Sequence, residues 1–380
     1  MTAETVLITG GAGFIGSALA VRLSADGHRV RLLDSLSPQI HGTDGAGSQR
    51  VGELSRIAEL QVGSVTSREA LVRAMDGVDV VVHLAAETGT GQSMYQIARY
   101  TDVNVGGTAL LLDVLATAEH RVRKIVLASS RAIYGEGKYV DAVGAAVYPG
   151  HRSAAQLAAG EFEIIHPGNS DLTLMSVPTD EQSRLQPSSV YGVTKLTQEQ
   201  LVLTAAPPLG VAPVALRYQN VYGPGQSLRN PYTGILSIFS TLIRQDAEIN
   251  VFEDGLESRD FVFIDDVVNA TSSAIREDAA NGLAINVGSG VATTVLEVIA
   301  ELGRAFARPV RTRVSGDARV GDIRHNVADL SLARNVLGFE PGVSFDRGIN
   351  RFVEWACGEE LETDGYERSL DELRARSLLK

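Results

Sequence analysis

Thr5-Val-Leu-Ile-Thr-Gly-Gly-Ala-Gly-Phe-Ile-Gly16 is the stretch whose reading decides the fold. Val6, Leu7 and Ile8 form a short apolar run that glycines end at once, the pattern of a buried parallel strand running into a tight turn. Gly10, Gly13 and Gly16 then recur every third residue, and Ser17-Ala-Leu-Ala-Val-Arg-Leu23 opens a helix. Strand, glycine turn and helix make a dinucleotide cradle: one glycine allows the turn, one lets backbone approach a pyrophosphate, and one lets helix pack on strand. Phe14 and Ile15 sit where the first helical N–H groups face the phosphates. Asp34 ends a second apolar run, Val30-Arg-Leu-Leu-Asp34. An acid there accepts hydrogen bonds from the adenosine ribose and repels the extra phosphate of NADP, so the expected cofactor is NAD.

Outward from this unit, apolar runs alternate with helical patterns. Leu60-Gln-Val-Gly63, Val78–Leu84, Lys124–Ser130 and Ala212–Tyr218 read as strands, and Ser67–Met75 and Asp102–Thr117 as helices. Repeated β-α alternation implies an α/β fold, a doubly wound parallel sheet of Rossmann type, with ligands beyond the carboxyl ends of the strands. The loops after Leu84 and Ser130 are therefore candidate site segments. Residues 136–187 lose the alternation and read as an insertion into a unit spanning 1–216. Loops such as Tyr222-Gly-Pro-Gly225 and Arg229–Gly234 open a smaller mixed α/β unit, 217–380, in which about 260–280 returns to the first. The charged tail from Gly358 onward reads as a surface helix.

Composition narrows the partners. A net charge of −12 disfavours nucleic acid and anionic membranes, while leaving room for a local basic pocket. Cys357 is the only cysteine, so neither an intrachain disulfide nor a cysteine-built zinc site is possible, and His151, His166 and Asp171 are too scattered to read as a metal site. No apolar run is long enough to cross a membrane, and the first strand begins too early to leave room for a signal peptide; a cytoplasmic protein is expected.

Tyr191-Gly-Val-Thr-Lys195 puts Tyr191 and Lys195 on one helix face. A neighbouring cation stabilises phenolate, so Lys195 is expected to lower the Tyr191 pKa and make it a usable base.

Taken with these, Thr9–Gly16, His83-Leu-Ala-Ala86, Asn104-Val-Gly-Gly-Thr108, Ser129-Ser130, Tyr134-Gly135, Asn220-Val-Tyr-Gly-Pro-Gly225, Arg259-Asp-Phe-Val262, Asn286-Val-Gly-Ser-Gly290 and Gly321-Asp-Ile-Arg324 resemble the extended short-chain dehydrogenase/reductase family. The similarity is to its NAD-dependent nucleotide-sugar epimerase and dehydratase branch, in family order over nearly the whole chain. It implies catalysis by Ser130, Tyr191 and Lys195, with Lys195 also on the nicotinamide ribose. Ser64, Val65, Leu84, Ala85, Ala86, Asn104 and Ser129 would line the cofactor. Thr88, Ser130, Arg131, Asn220, Arg259 and Arg324 would face the sugar nucleotide. Arginine suits a diphosphate because its planar fork pairs with phosphate oxygens. The resemblance also implies a homodimer, formed by two helices per subunit across a two-fold axis.

Departures refine this. Dehydratases of the branch carry an Asp-Glu pair after the catalytic hydroxyl, where this chain has Arg131 and Ala132, so dehydration is not expected. Ser64 replaces a frequent acid at the adenine, and sixty-one positions separate Ser130 from Tyr191, far more than is usual. Glu87–Tyr95 and the long insertion resemble the dTDP-L-rhamnose 4-epimerase-like and UDP-sugar 4-epimerase groups. The expected reaction is epimerisation at C4 of a nucleotide sugar through a 4-keto intermediate. UDP-uronate decarboxylation, net dehydrogenation or 4,6-dehydration are the alternatives within the branch, and a non-catalytic NAD-sensing protein is the alternative outside it.

Overall fold

In the first strand, β1 (Thr5–Thr9), every residue is buried. Side chains alternate across a strand, so Val6 and Ile8 enter one apolar core and Leu7 the other. A strand covered on both faces has to be apolar at successive positions, which is why the run lacks polar alternation. The computed structural model describes residues 3–42, 45–169, 172–228, 230, 234–319, 321–360 and 365–379. Asp171 and most of the loop Arg229–Gly234 lie outside them.

Helix α1 (Phe14–Ala25) follows the glycine turn, then β2 (Arg29–Asp34), β3 (Glu59–Val62) and β4 (Val80–His83). Helix α2 (Gly107–Thr117) leads to β5 (Lys124–Ser130), and α3 (Val190–Ala205) to β6 (Ala212–Tyr218). Helix α4 (Ile264–Arg276) precedes β7 (Ala284–Val287). The seven strands make one sheet in the order β7-β6-β5-β4-β1-β2-β3, parallel throughout. In register, Leu7 lies between Arg31 and Val81. Helices α1 and α4 pack together on the Val6 face. Leu111 and Leu115 of α2 and Val202 of α3 fill the Leu7 face. Chain order reverses between β1 and β4, and there the strand ends open into a crevice.

The remaining strands form smaller sheets. Ser258–Phe263 pairs in parallel with Asn220–Tyr222 and His325–Asn326 and antiparallel with Ala292–Thr294. Ile249–Val251 pairs with Thr312–Val314. Tyr139–Val140, Ala146–Val147 and Met175–Ser176 form a three-stranded patch within 136–187. The charged tail holds helix α5 (Gly365–Ala375). It does not merely lie on the surface: Leu370 and Leu373 are buried against Tyr95 and Phe252, because its apolar residues recur on one face.

Candidate active site

The glycine turn is built as tightly as its spacing implies. Gly10 has φ +68°, and a Cβ on it would meet the Ala85 backbone at 2.9 Å. A Cβ on Gly16 would stand 2.4 Å from the Gly10 carbonyl, so α1 can seat on the turn only without one. Beyond the turn lies a cavity of about 500 Å³. Gly10, Gly13, Phe14, Ile15, Gly16, Asp34, Ser64, Val65, Leu84, Ala85, Ala86, Thr88, Ser129, Ser130, Arg131, Tyr191, Lys195 and Asn220 all line it, gathered from across the chain. Asp34 is buried, and its carboxylate accepts from the Ala12 N–H at 3.0 Å and the Leu36 N–H at 2.9 Å. Burial pushes its pKa up, but His41 and these two N–H groups outweigh burial and hold it below the usual aspartate value. A cradle that a Cβ would fill, a helix N-terminus and an ionised acid at the end of β2 fit a dinucleotide.

Asn104 departs from the expectation that it lines the cofactor. It is fully buried and off the cavity wall. Its side chain accepts from the Glu87 N–H at 2.7 Å and donates to the Glu87 carbonyl and the Thr194 hydroxyl. It therefore staples the loop after β4 to α3. His83 is likewise structural, held between Thr9 and Thr108, and burial with the nearby Lys195 pulls its pKa to about 3, so it is neutral.

The candidate catalytic side chains meet where β5 and α3 converge. Ser130 ends β5 and accepts from the Ala132 N–H at 3.1 Å, capping the short helix Arg131–Ile133. Ser189 caps α3 by accepting from the Gly192 N–H. A Cβ on Gly192 would lie 2.5 Å from the Ala132 carbonyl, so glycine there lets α3 abut the Ser130 turn. Tyr191 donates its backbone N–H to the buried Ser93 hydroxyl at 3.0 Å, and its phenol hydrogen-bonds Ser130.

Lys195 does not act on Tyr191 as expected. Its Nζ sits 6.0 Å from the ring centroid and donates to the Ala128 carbonyl at 2.9 Å. Burial pulls the Lys195 pKa down to about 7. Burial raises the Tyr191 pKa, and the groups opposing it are Ser130 and Arg131, which do not reverse it. The cation bearing on the phenol is thus Arg131, whose Nε donates to Asn220 Oδ1 at 2.9 Å.

Arg131 and Asn220 also line a second cavity of about 230 Å³, which shares part of its wall with the first. Arg259 and Arg319 stand on its wall with Asp322. The Arg259 guanidinium is fixed by Asp322 at 2.7 Å and by the carbonyls of Ser258, Ile323 and Arg324. Burial opposes the ionisation of Asp322, yet Arg259, Arg319 and Arg131 pull its pKa to about 2. Burial and Arg259 lower Arg131 only to about 10, so it stays cationic. Three cations face two carboxylates, Asp322 and Glu257, and burial pushes Glu257 up to about 7, so the pocket is basic in an acidic chain.

Arg324 is absent from this pocket, against expectation. It is fully buried and paired with Glu163, Glu253 and Asp254, with Glu257 3.8 Å away. A guanidinium surrounded by four carboxylates has no free donor to offer a phosphate. Sequence reading gave no role to Arg319 or Asp322, although Asp322 lies inside the Gly321-Asp-Ile-Arg324 motif and Arg319 just ahead of it. The signal was Gly321, whose φ of +81° turns the chain between Arg319 and Arg324. It also missed Tyr366 on α5, which lines the second cavity.

Comparison with known proteins places this geometry. The family model described as NAD dependent epimerase/dehydratase matches residues 6–152 and 168–288. A dTDP-L-rhamnose 4-epimerase of Burkholderia thailandensis is 42% identical over 94% of this chain and 96% of its own length. The crystal structure of UDP-glucose 4-epimerase with UDP-glucose from Thermotoga maritima superposes with a TM-score of 0.74 at 28% identity, covering 93% of this chain and 99% of that one. MoeE5 in complex with UDP-glucuronic acid and NAD matches over the same shares with a TM-score of 0.72 at 27% identity. The chain belongs to the NAD dependent epimerase/dehydratase family.

Proposed function

We propose that this protein is an NAD-dependent 4-epimerase of a nucleoside-diphosphate sugar. The observation that carries the reading is the Ser130–Tyr191 hydroxyl pair on the wall of the larger cavity, next to Arg131, which lines the basic cavity as well. NAD would be held by the glycine turn, Asp34 and Lys195, and would supply the reversible oxidation at C4. Tyr191 takes the proton of the 4-hydroxyl and returns it after the 4-keto sugar has turned over. Ser130 hydrogen-bonds the same oxygen. Arg131 offsets negative charge developing on the phenol, which burial disfavours. Arg259 and Arg319 hold the diphosphate. Arg131 and Ala132 supply no carboxyl group to expel water from C6, which favours epimerisation over dehydration. The units 1–216 and 217–380 would divide the work, the first holding NAD and the second the sugar nucleotide.

The test is NMR of dTDP-, UDP-, GDP- and CDP-hexoses incubated with the NAD-loaded protein. Inversion at C4 of at least one, without loss of water, is expected. Accumulation of a 4-keto-6-deoxy product would instead make the enzyme a dehydratase.

A further inference from the structure

Arg319 and Asp322, both on the wall of the second cavity, belong to one loop, in which the Asp322 N–H donates to the Arg319 carbonyl at 3.2 Å. Asp322 also holds the Arg259 guanidinium through Oδ1 at 2.7 Å. The backbone of this loop is gripped by residues 136–188. Ser188 donates its hydroxyl to the Gly321 carbonyl at 2.8 Å, and Arg152 donates Nη2 to the Asp322 carbonyl at 3.3 Å. Glu136 accepts from the Arg324 N–H at 2.7 Å. A Cβ on Gly321 would stand 2.8 Å from the Ser188 carbonyl, so glycine there lets the two backbones close up.

Arg152 is built into this junction, with its side chain only 3% exposed. Nη1 donates to Glu253 Oε2 at 2.7 Å and to the Phe162 carbonyl at 3.0 Å, and Nε lies 3.7 Å from Glu136. The planar fork holds these partners and Asp322 in one fixed geometry, which a flexible ammonium would not. Neither Arg152 nor Ser188 lines either cavity; both stand behind the loop. Glu163 of the same insertion differs, because its carboxylate meets the side chains of Arg324 and His325 instead of the loop backbone.

We propose that residues 136–188 brace the substrate cavity, with Arg152 and Ser188 as positioning residues that hold the Arg319 and Asp322 loop in its binding shape. Arg319 and the Asp322–Arg259 pair are then set for the diphosphate before it arrives, and no binding energy is lost to ordering the loop. The proposal rests on the nucleoside-diphosphate sugar reading above.

Calorimetric titration of the NAD-loaded full chain with UDP and dTDP, beside steady-state kinetics and urea unfolding, tests this. Ser188→Ala deletes one bond to the loop. Arg152→Lys keeps a cation beside Glu253 and Glu136 but loses the fork that reaches Asp322. Each should weaken UDP and dTDP by about three- to ten-fold, the scale of one lost hydrogen bond. KM for the sugar nucleotide should rise by the same factor, while kcat and NAD affinity hold. Glu163→Gln should lower the urea midpoint and leave KM and both affinities at wild-type values. A merely structural insertion would make all three variants behave like Glu163→Gln, and that result would overturn the proposal. So would an equal loss of NAD affinity, which would mean the damage is not confined to the loop. Should Arg152→Lys fail to fold, Ser188→Ala decides the matter by itself. If the wild type turns over a sugar nucleotide and the variants bind diphosphate as it does, this inference alone falls. If the wild type binds no nucleoside diphosphate, the functional reading falls and takes this one with it.

Discussion

Tyr191 has Ser130 and Arg131 as the groups that ease ionisation of its phenol. Its four-residue spacing from Lys195 makes a phenol–ammonium pair easy to draw, yet Lys195 spends its buried ammonium on the Ala128 carbonyl. Burial raises the phenol, and Arg131 and Ser130 only moderate the rise. Tyr191→Phe keeps the packing and removes the proton acceptor. Turnover should fall by roughly 10²–10⁴-fold while sugar-nucleotide binding by calorimetry survives. Retention of full activity would place the base elsewhere. Lys195 carries a prediction of its own. Its folded pKa of about 7 lies below the 10.5 of an ordinary lysine, so over that interval the unfolded chain binds a proton that the folded chain does not. Its contribution to stability therefore rises with pH through that window and is lost as pH falls toward 7. Lys195→Met removes this pH dependence. The urea midpoint of NAD-free wild type should gain on that of Lys195→Met between pH 7 and pH 9.5, and a constant difference would refute the shift.

At the scale of elements, what was legible is what the residue types themselves enforce. The glycine turn could be read because only glycine tolerates a carbonyl 2.4 Å from a Cβ position, as at Gly16. The strands could be read because burial on two faces demands unbroken apolar runs, as in β1 and β5. Arg324 could not be read, because an arginine's partners lie far away in the chain: Glu163 comes from the 136–187 insertion and Asp254 precedes the strand Ser258–Phe263. The same holds for α5, whose charge pattern suited a solvated face and whose contact with Tyr95 joins residues 277 positions apart. These carboxylates give Arg324 a structural task, tying the insertion to the strands that carry Arg259. Arg324→Ala should cost about 3–5 kcal/mol, the scale for orphaning buried charges such as Glu253. KM for the sugar nucleotide in the protein that remains folded should be unchanged. Urea unfolding alongside steady-state kinetics decides it: a large KM rise at wild-type stability would return Arg324 to the substrate.

For the whole molecule, the question is what covers the outer side of α2 and α3. The two helices pack on each other and on the Leu7 face of the sheet, yet their apolar residues are not used up there. Val193 is 50% exposed and Ile97, just ahead of α2, is 54% exposed. Leu110 and Leu201 are only partly covered. Apolar side chains clustered on two adjacent helices suit a self-complementary contact. Across a two-fold axis α2 and α3 would meet their copies as four helices, and each residue would be buried twice. Sedimentation at micromolar concentration should therefore show a dimer. Val193→Glu places two carboxylates in that contact and should shift the protein to monomer. Because Val193 does not line Tyr191's cavity, the monomer should still bind NAD. A wild type that sediments as a monomer, or a Val193→Glu variant that stays dimeric, would show that this face is not the one that pairs.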